Sequence, residues 1–251
     1  MQAEEMIDYS PRDTLLDERV ILVTGASAGI GAALARRAAG LGATVVLVGR
    51  SVPRLEEVYD EIERAGGPRP GIFVIDFLTA AGPQYEQLFD AVADAYGHLD
   101  GLVHCAGILG DRSPIEHYDI GVWQQVMQVN VTAPFVLTRT LFPLLRRSGD
   151  ASVIFTSSGV GRQGRAFWGA YAVSKFATEG LMEVLASEVG DNTPIRCNAV
   201  NPGATRTAMR RAAYPGEDAD KLKTPEEVLG PYLYLLGPDG RGISGGSFDA
   251  Q

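Results

Sequence analysis

Tyr171 and Lys175 stand four residues apart in the segment YAVSK. On a helix that spacing puts both side chains on one face, so an ammonium can sit beside a phenol. A free tyrosine has a pKa of about 10, too high for a base near neutrality. A neighbouring positive charge favours the phenolate and brings proton exchange within reach. Thirteen positions earlier lies Ser158, the last residue of the run IFTSS and just after a strand. A hydroxyl at the end of a strand can orient a carbonyl and stabilise charge on its oxygen. Lysine occurs elsewhere only at Lys221 and Lys223, which sets the lysine of YAVSK apart from ordinary surface charge.

A second chemistry-bearing stretch, VILVTGASAGIG, runs from Val20 to Gly31. An apolar strand enters a turn containing Gly25, Ser27, Gly29, Ile30 and Gly31. Glycine allows the tight turn and close main-chain approach to a phosphate, and the helix that follows favours negative charge at its start. The alternative is a plain strand-turn-helix corner, but a second strand follows, as dinucleotide binding requires. That strand, VVLVGR, ends in Gly49 and Arg50. A carboxylate there would accept from the ribose 2′-hydroxyl of NAD. Arg50 instead offers donors suited to a 2′-phosphate, so NADP(H) is preferred over NAD(H). The alternative for Arg50 is solvated charge ahead of a helix capped by Ser51. Asp76 is either an acceptor for the adenine amino group or the cap of the turn in DFLTAAG. Together the two stretches suggest hydride transfer to or from a nicotinamide, with tyrosine handling the proton.

These groups need a scaffold. Short β-branched runs at Val20–Thr24, Thr44–Val48, Gly71–Ile75, Gly101–His104, Ser152–Thr156, Ile195–Val200 and Ile243–Phe248 alternate with helical stretches near 29–40, 52–65, 84–96, 119–147, 170–190 and 225–236. The alternation predicts an α/β fold: a Rossmann-type doubly wound parallel sheet of about seven strands with helices on both faces. The 251 residues suit one dinucleotide-binding and catalytic domain over 1–251. Residues 1–17 read as an N-terminal arm. The irregular stretch 203–224 reads as a substrate lid loop.

Bulk properties exclude several classes. A net charge of -9 argues against nucleic acid or an acidic membrane as partner. No run approaches the roughly 20 apolar residues of a membrane helix, and the acidic start lacks a signal-peptide core. Cys105 and Cys197 read as reduced thiols, so a cytoplasmic protein is expected. His98, His104 and His117 lack metal-ligand spacing, so no metal is expected. Nothing beside Cys105 suggests a lowered thiol pKa.

TGASAGIG, Asp76, HCAG (His104–Gly107), Asn130 in MQVNVTAP, Ser158, YAVSK and NPGATRT (Asn201–Thr207) occur in one order and spacing. On these the chain resembles the short-chain dehydrogenases/reductases of the short, single-domain type, from Val20 to Phe248. The resemblance implies that Tyr171 is the general acid/base and that Lys175 lowers its pKa and holds the nicotinamide ribose. It implies that Ser158 positions the substrate oxygen and that Asn130 anchors a water relaying protons through Lys175. Ala106 and Gly107 would lie along the cofactor. Pro202, Gly203 and Thr207 would bracket the nicotinamide, with the main chain near Thr205 reading its carboxamide. The substrate would be a small carbonyl compound or secondary alcohol. In the family the helices equivalent to 119–147 and 170–190 build a subunit interface, so a homodimer or homotetramer is implied. The chain departs from the pattern at His104 and Cys105, where the family commonly has two asparagines. That implies altered stability rather than lost activity. It also carries Ala28 where NADP users often have a basic residue. The segments VGRQGRAFWGAYAVSKFATEG, LLRRSGDASVIFTSS, NPGATRTAMR and FDAQ point more narrowly to one bacterial branch of the family.

Two other functions stay in view. A redox-sensing or regulatory protein could use the fold with little turnover, but the intact Asn130, Ser158, Tyr171 and Lys175 set argues against it. A sugar-nucleotide epimerase or dehydratase shares the tyrosine-lysine pair, but only 76 residues follow Lys175, too few for a substrate domain. Arg162, Arg165, Arg206, Arg210 and Arg211 gather near the expected cleft. They read either as a site for an anionic substrate or as solvated loop charge and subunit contacts. Phe167 and Trp168 either wall an apolar pocket or pack at an interface.

Overall fold

Val, Ile and Leu fill the strands almost without interruption, the pattern of a sheet covered on both faces. A computed structural model describes residues 6–251, so the first five residues of the expected arm lie outside the described residues. The strands are β1 (Val20–Thr24), β2 (Thr44–Gly49), β3 (Gly71–Val74), β4 (Gly101–His104), β5 (Ala151–Thr156), β6 (Ile195–Asn201) and β7 (Ser247–Asp249). They form one sheet in the order β3-β2-β1-β4-β5-β6-β7, with every neighbouring pair parallel. The expected Rossmann-type fold is the one observed. The strand order reverses between β1 and β4, so the crevice for a ligand opens at their C-terminal ends.

The helices are α1 (Gly29–Ala39), α2 (Val52–Arg64), α3 (Gly82–Tyr96), α4 (Ile120–Met127), α5 (Ala133–Arg147), α6 (Gly169–Val189), α7 (Ala208–Ala213) and α8 (Gly230–Leu236). Side chains of α1, α2 and α8 cover one face of the sheet, joined by Met6, Leu15 and Leu16 from the expected arm. Those of α3, α5 and α6 cover the other.

Four elements differ from the sequence expectation, the first being the helix expected over 225–236, which begins only at Gly230 after a 3-10 turn at Glu226–Val228. The stretch 119–147 is not one helix: a π-helical turn at Gln128–Thr132 separates α4 from α5. Hydrophobic periodicity runs through such a bulge without a visible break. The stretch 203–224 is not wholly irregular, because it contains α7, whose first turn is capped by the Thr207 hydroxyl accepting from Arg210 N at 3.1 Å. The last strand begins at Ser247 rather than Ile243, since Gly245 turns the chain with a φ of 78°.

His104 ends β4 and is buried. Its Nε2 lies 2.9 Å from Thr138 Oγ1 and its ring stacks on Phe155 at 4.7 Å. Burial pushes its pKa down to about 3, and the charge of Lys175 acts the same way. Between pH 3 and the unfolded value of about 6.5 the unfolded chain binds a proton that the folded chain refuses, so folding stability falls as pH falls through that window. His104→Asn removes this linkage. The loss of stability from pH 7 to pH 5, followed by denaturant midpoint, should be smaller in the variant by on the order of 1 kcal/mol per pH unit. Parallel acid branches in the two proteins would refute it.

Candidate active site

A cleft of about 470 Å³ lies at the C-terminal ends of β1, β2, β4, β5 and β6. Its floor is main chain. Gly25 leaves β1 with a φ of 66°, and a Cβ there would sit 2.9 Å from Ala106 N. Gly31 opens α1 so close to the preceding turn that a Cβ would lie 2.5 Å from the Gly25 carbonyl oxygen. Side chains at these positions would collide with neighbouring main chain, so the tight turn into α1 depends on glycine at both, and a helix start reached by such a turn suits a phosphate. Thr24 ties this turn to the opposite wall: its hydroxyl accepts from Cys105 N and Ala106 N, both at 3.1 Å.

Arg50 lines the same end of the cleft, as does Arg54 in the first turn of α2. Two guanidinium groups and no carboxylate follow β2 here, which suits a 2′-phosphate. Asp76 also lines the cleft, and its Oδ1 accepts from Leu78 N at 3.0 Å. The turn-capping role weighed above is therefore present, through one of its two carboxylate oxygens.

At the far end, β5 and α6 bring the chemistry together. Tyr171 and Lys175 lie one helical turn apart on α6 and both are buried. Lys175 Nζ donates to the carbonyl of Thr156, the last residue of β5, at 2.7 Å, and lies 5.6 Å from the centre of the Tyr171 ring. Burial lowers its pKa to about 8. Burial also raises the Tyr171 phenol to about 12, against the opposing pull of its hydrogen bond with Ser158. The turn Gly159–Gly161 that follows Ser158 seats against α6: a Cβ on Gly161 would lie 2.8 to 2.9 Å from three Lys175 atoms. The turn after Ser158 is thus held against α6 at Lys175 by a close main-chain contact.

Asn130 sits in the π-helical turn, buried, with its amide fully engaged. Its Oδ1 accepts from Ile108 N at 2.9 Å, while Nδ2 donates to Ile108 O at 2.9 Å and to Ser174 Oγ at 3.0 Å. It therefore clamps the loop after β4 to α6. π-helical turns are frequent at functional sites because they redirect a side chain without ending the helix. Pro202, Gly203, Thr205 and Thr207 line the wall after β6. Thr205 Oγ1 donates to Pro202 O at 3.0 Å. Gln251 Nε2 donates to the same carbonyl at 2.6 Å, a brace that no sequence motif announced.

Of the other residues weighed in the sequence, Arg162 faces away from the cleft. It donates to Asp249 Oδ1 at 2.8 Å and Ser247 Oγ at 2.7 Å and approaches Glu179 Oε1 at 3.4 Å, joining the Ser158 turn to α6 and β7. Arg206 pairs with Asp220 and Arg210 with Glu217. Trp168 lines the cleft, whereas Phe167 is exposed at a φ of 69°. Cys105 also lines the cleft, with its thiol raised to about 11 by burial, and so is a weak nucleophile. Sequence reasoning missed Arg54, Leu109, Met209 and Ala213. Arg54 was legible as a second cation soon after β2. The three apolar residues carry no local signal, since only tertiary folding gathers them.

The short chain dehydrogenase family pattern matches residues 19–218. The uncharacterized oxidoreductase YciK of Escherichia coli K12 is 51% identical over 243 residues, covering 97% of this chain and 96% of that protein. The narrower sequence likeness, to the YciK-like oxidoreductases of bacteria, is thereby borne out. A Shigella flexneri short chain dehydrogenase complexed with NADP superposes with a TM-score of 0.93 at 50% identity, covering 96% of this chain and 100% of that one. One from E. coli CFT073 complexed with NADPH gives 0.94 at 52% identity, covering 96% and 100%.

The Gly161 contact is open to direct test. Gly161→Ala should destabilise the fold by about 1–3 kcal/mol through overpacking against Lys175. Gly164→Ala, where a Cβ meets nothing within 4 Å, should change stability by no more than about 0.5 kcal/mol. Equal denaturant midpoints for the two variants would show that the turn does not depend on the missing side chain.

Proposed function

Since this chain belongs to the short chain dehydrogenase family, we propose that it is an NADP(H)-dependent oxidoreductase interconverting a carbonyl and a secondary alcohol. The observation that carries the reading is the convergence of Ser158, Tyr171 and Lys175 at one end of a cleft whose other end is a glycine turn flanked by Arg50 and Arg54. When bound, NADP(H) supplies or takes up the hydride. Gly25, Ser27, Gly29, Ile30 and Gly31 would face its pyrophosphate, and Arg50 with Arg54 its 2′-phosphate. Asp76 keeps one carboxylate oxygen for the adenine amino group. Ala106, Gly107, Pro202, Gly203, Thr205 and Thr207 would line the rest of its path, with Lys175 reaching the ribose hydroxyls.

Tyr171 acts as the general acid/base. Its raised pKa keeps the phenol protonated near neutrality, the form that donates to a carbonyl oxygen during reduction. Oxidation of an alcohol needs the phenolate, which the Lys175 ammonium and the positive ring of the oxidised cofactor both favour. Ser158 shares the substrate oxygen and stabilises charge as it develops. The side chain of Asn130 is committed to Ile108 and Ser174, so its part in a water relay falls to its main chain.

NADP(H) is preferred over NAD(H) in this reading because the segment after β2 brings two arginines, and no carboxylate, into the cleft lining. The NADP and NADPH complexes of the two solved relatives support it. Phe135, Val173, Phe176 and Val184 are exposed on α5 and α6, which supports a homodimer or homotetramer built on those helices. We assign the chain to the cytoplasm as a single catalytic domain acting on a small molecule. Among the described residues no helix is long and apolar enough to cross a membrane.

Tyr171→Phe should abolish NADPH oxidation by a panel of ketones, aldehydes and quinones while leaving NADPH affinity within about threefold, because the ring remains in place and only the hydroxyl is lost. Loss of cofactor affinity in that variant would overturn the assigned role. Arg50→Asp should weaken NADPH by at least about tenfold more than NADH, the scale of one charge-assisted contact. An equal effect on both would remove Arg50 from the 2′-phosphate.

A further inference from the structure

We propose that Arg112, Arg165 and the hydroxyl of Tyr214 form a binding site for an anionic group on the far end of an otherwise apolar carbonyl substrate. The inference rests on the reductase reading, since that group belongs to the molecule whose carbonyl meets Tyr171. Tyr214 follows directly on α7 and is surrounded by arginines from three segments. The Arg112 guanidinium carbon lies 4.9 Å from the centre of its ring and that of Arg210 lies 4.0 Å away. Arg165 Nη1 donates to the Tyr214 hydroxyl at 3.1 Å.

The charge around this tyrosine is unbalanced. Arg210 is answered by Glu217. Further out, Arg162 is answered by Glu179 and Asp249, and Arg206 by Asp220. Among the described residues Arg112 and Arg165 have no carboxylate partner, in a chain whose net charge is -9. Arg112 is nevertheless held in place by two rings and a hydrogen bond to the Ala213 carbonyl. A guanidinium has five N–H donors, and each of these two arginines commits one to a hydrogen bond within the chain. The Tyr214 oxygen accepts from Arg165, which leaves its own proton to give. Forked donors beside a phenol proton suit a carboxylate.

Position links this group of donors to the chemistry. The Arg112 guanidinium stacks over Trp168 at 4.6 Å, and the Trp168 ring lies 5.6 Å from that of Tyr171. A second, more open cleft shares Leu109 and Ala213 with the main one and is also lined by Asp111, Arg112 and Phe167; Asp111 forms no ion pair with Arg112. Between Tyr171 and Arg112 the wall is apolar: Leu109, Trp168, Met209 and Ala213. Trp168 also holds a buried indole N–H without an acceptor. A flat apolar body held among Leu109, Met209, Ala213 and the part of Trp168 that lines the cleft, with its carbonyl at Tyr171 and its carboxylate at Arg112 and Arg165, matches this order of surfaces. A polyol does not.

The test compares 6-acetyl-2-naphthoate with its carboxamide as substrates of the NADPH-loaded protein. The carboxylate should have a kcat/KM at least about tenfold higher, the scale of one hydrogen bond to a charged group. That ratio should fall toward one in Arg112→Gln and in Arg165→Gln, mainly through KM. It should also fall in the unmodified protein as ionic strength rises, because exposed charges are screened. A ratio near one, or one unchanged by both substitutions and by salt, overturns the proposal. If neither ketone turns over, equilibrium binding of each to the NADPH-loaded protein decides. Carboxylate binding that is stronger than carboxamide binding and lost in both variants upholds the anion site while counting against the reductase reading for these ketones. Equal binding of the two overturns the anion site.

Discussion

Lys175 is buried with its ammonium against the carbonyl at the end of β5, and the Tyr171 end of the cleft is arranged around that placement. Taking an ammonium out of water favours its neutral form, which is why its pKa falls to about 8. One carbonyl does not satisfy three N–H donors. The remaining donors point the site toward further oxygen ligands, which ribose hydroxyls and a phenolate would supply. Glu179, one turn further along α6, favours the charged form. Gly161 is tolerated at its position because any side chain would displace Lys175. The same contact seats the turn that follows Ser158, so the placement of Ser158 relative to α6 depends on where one lysine is buried.

The opposite ends of the strands do different work. Asp150 begins just before β5 and receives Arg19, Arg196 and Arg241. Burial alone would raise its pKa, but the three guanidinium groups hold it below the ordinary carboxylate range. Arg196 also donates to the carbonyls of Leu235 and Gly240, tying β6 to the end of α8. Asp100 accepts from Val20 N at 2.8 Å and from Ser148 Oγ at 2.6 Å, tying β1 to the chain between α5 and β5. These bonds close the N-terminal ends of the strands. The C-terminal ends stay open for loops that carry chemistry, the usual division of a rigid scaffold from its site.

Legibility in the sequence follows the range of the interactions. β1 and β4 were legible to the residue because unbroken apolar runs end at a turn. The glycine turn was legible because its function is main-chain geometry, which glycine alone permits at Gly25 and Gly31. Tyr171 and Lys175 were legible because a helix places residues four apart together. The break at Gln128–Thr132 was not, since a π-helical turn leaves hydrophobic periodicity nearly unchanged. Nor was α7, a helix of 6 residues within a charged stretch. Arg162 was read as a rim residue because sequence places it after Ser158. The partners that turn it away, Glu179 and Asp249, are 17 and 87 residues distant.

The two halves of the cleft therefore differ in kind. The half beside β1 and β2 is built of main-chain atoms and one loop after each strand, and short motifs describe it. The half beyond Tyr171 is built of side chains from the loop after β4, the loop before α6 and the segment around α7. None of these segments is adjacent in sequence, so their common surface exists only once the sheet has formed. Leu109, Trp168 and Met209 give that surface its apolar body, and Arg112 and Arg165 give it a positive end. On the proposed function, such a distribution would discriminate among substrates by what surrounds the carbonyl rather than by the carbonyl itself. The glycine turn and the apolar half of the cleft come from different parts of the chain, so a change around α7 would alter the second without disturbing the first.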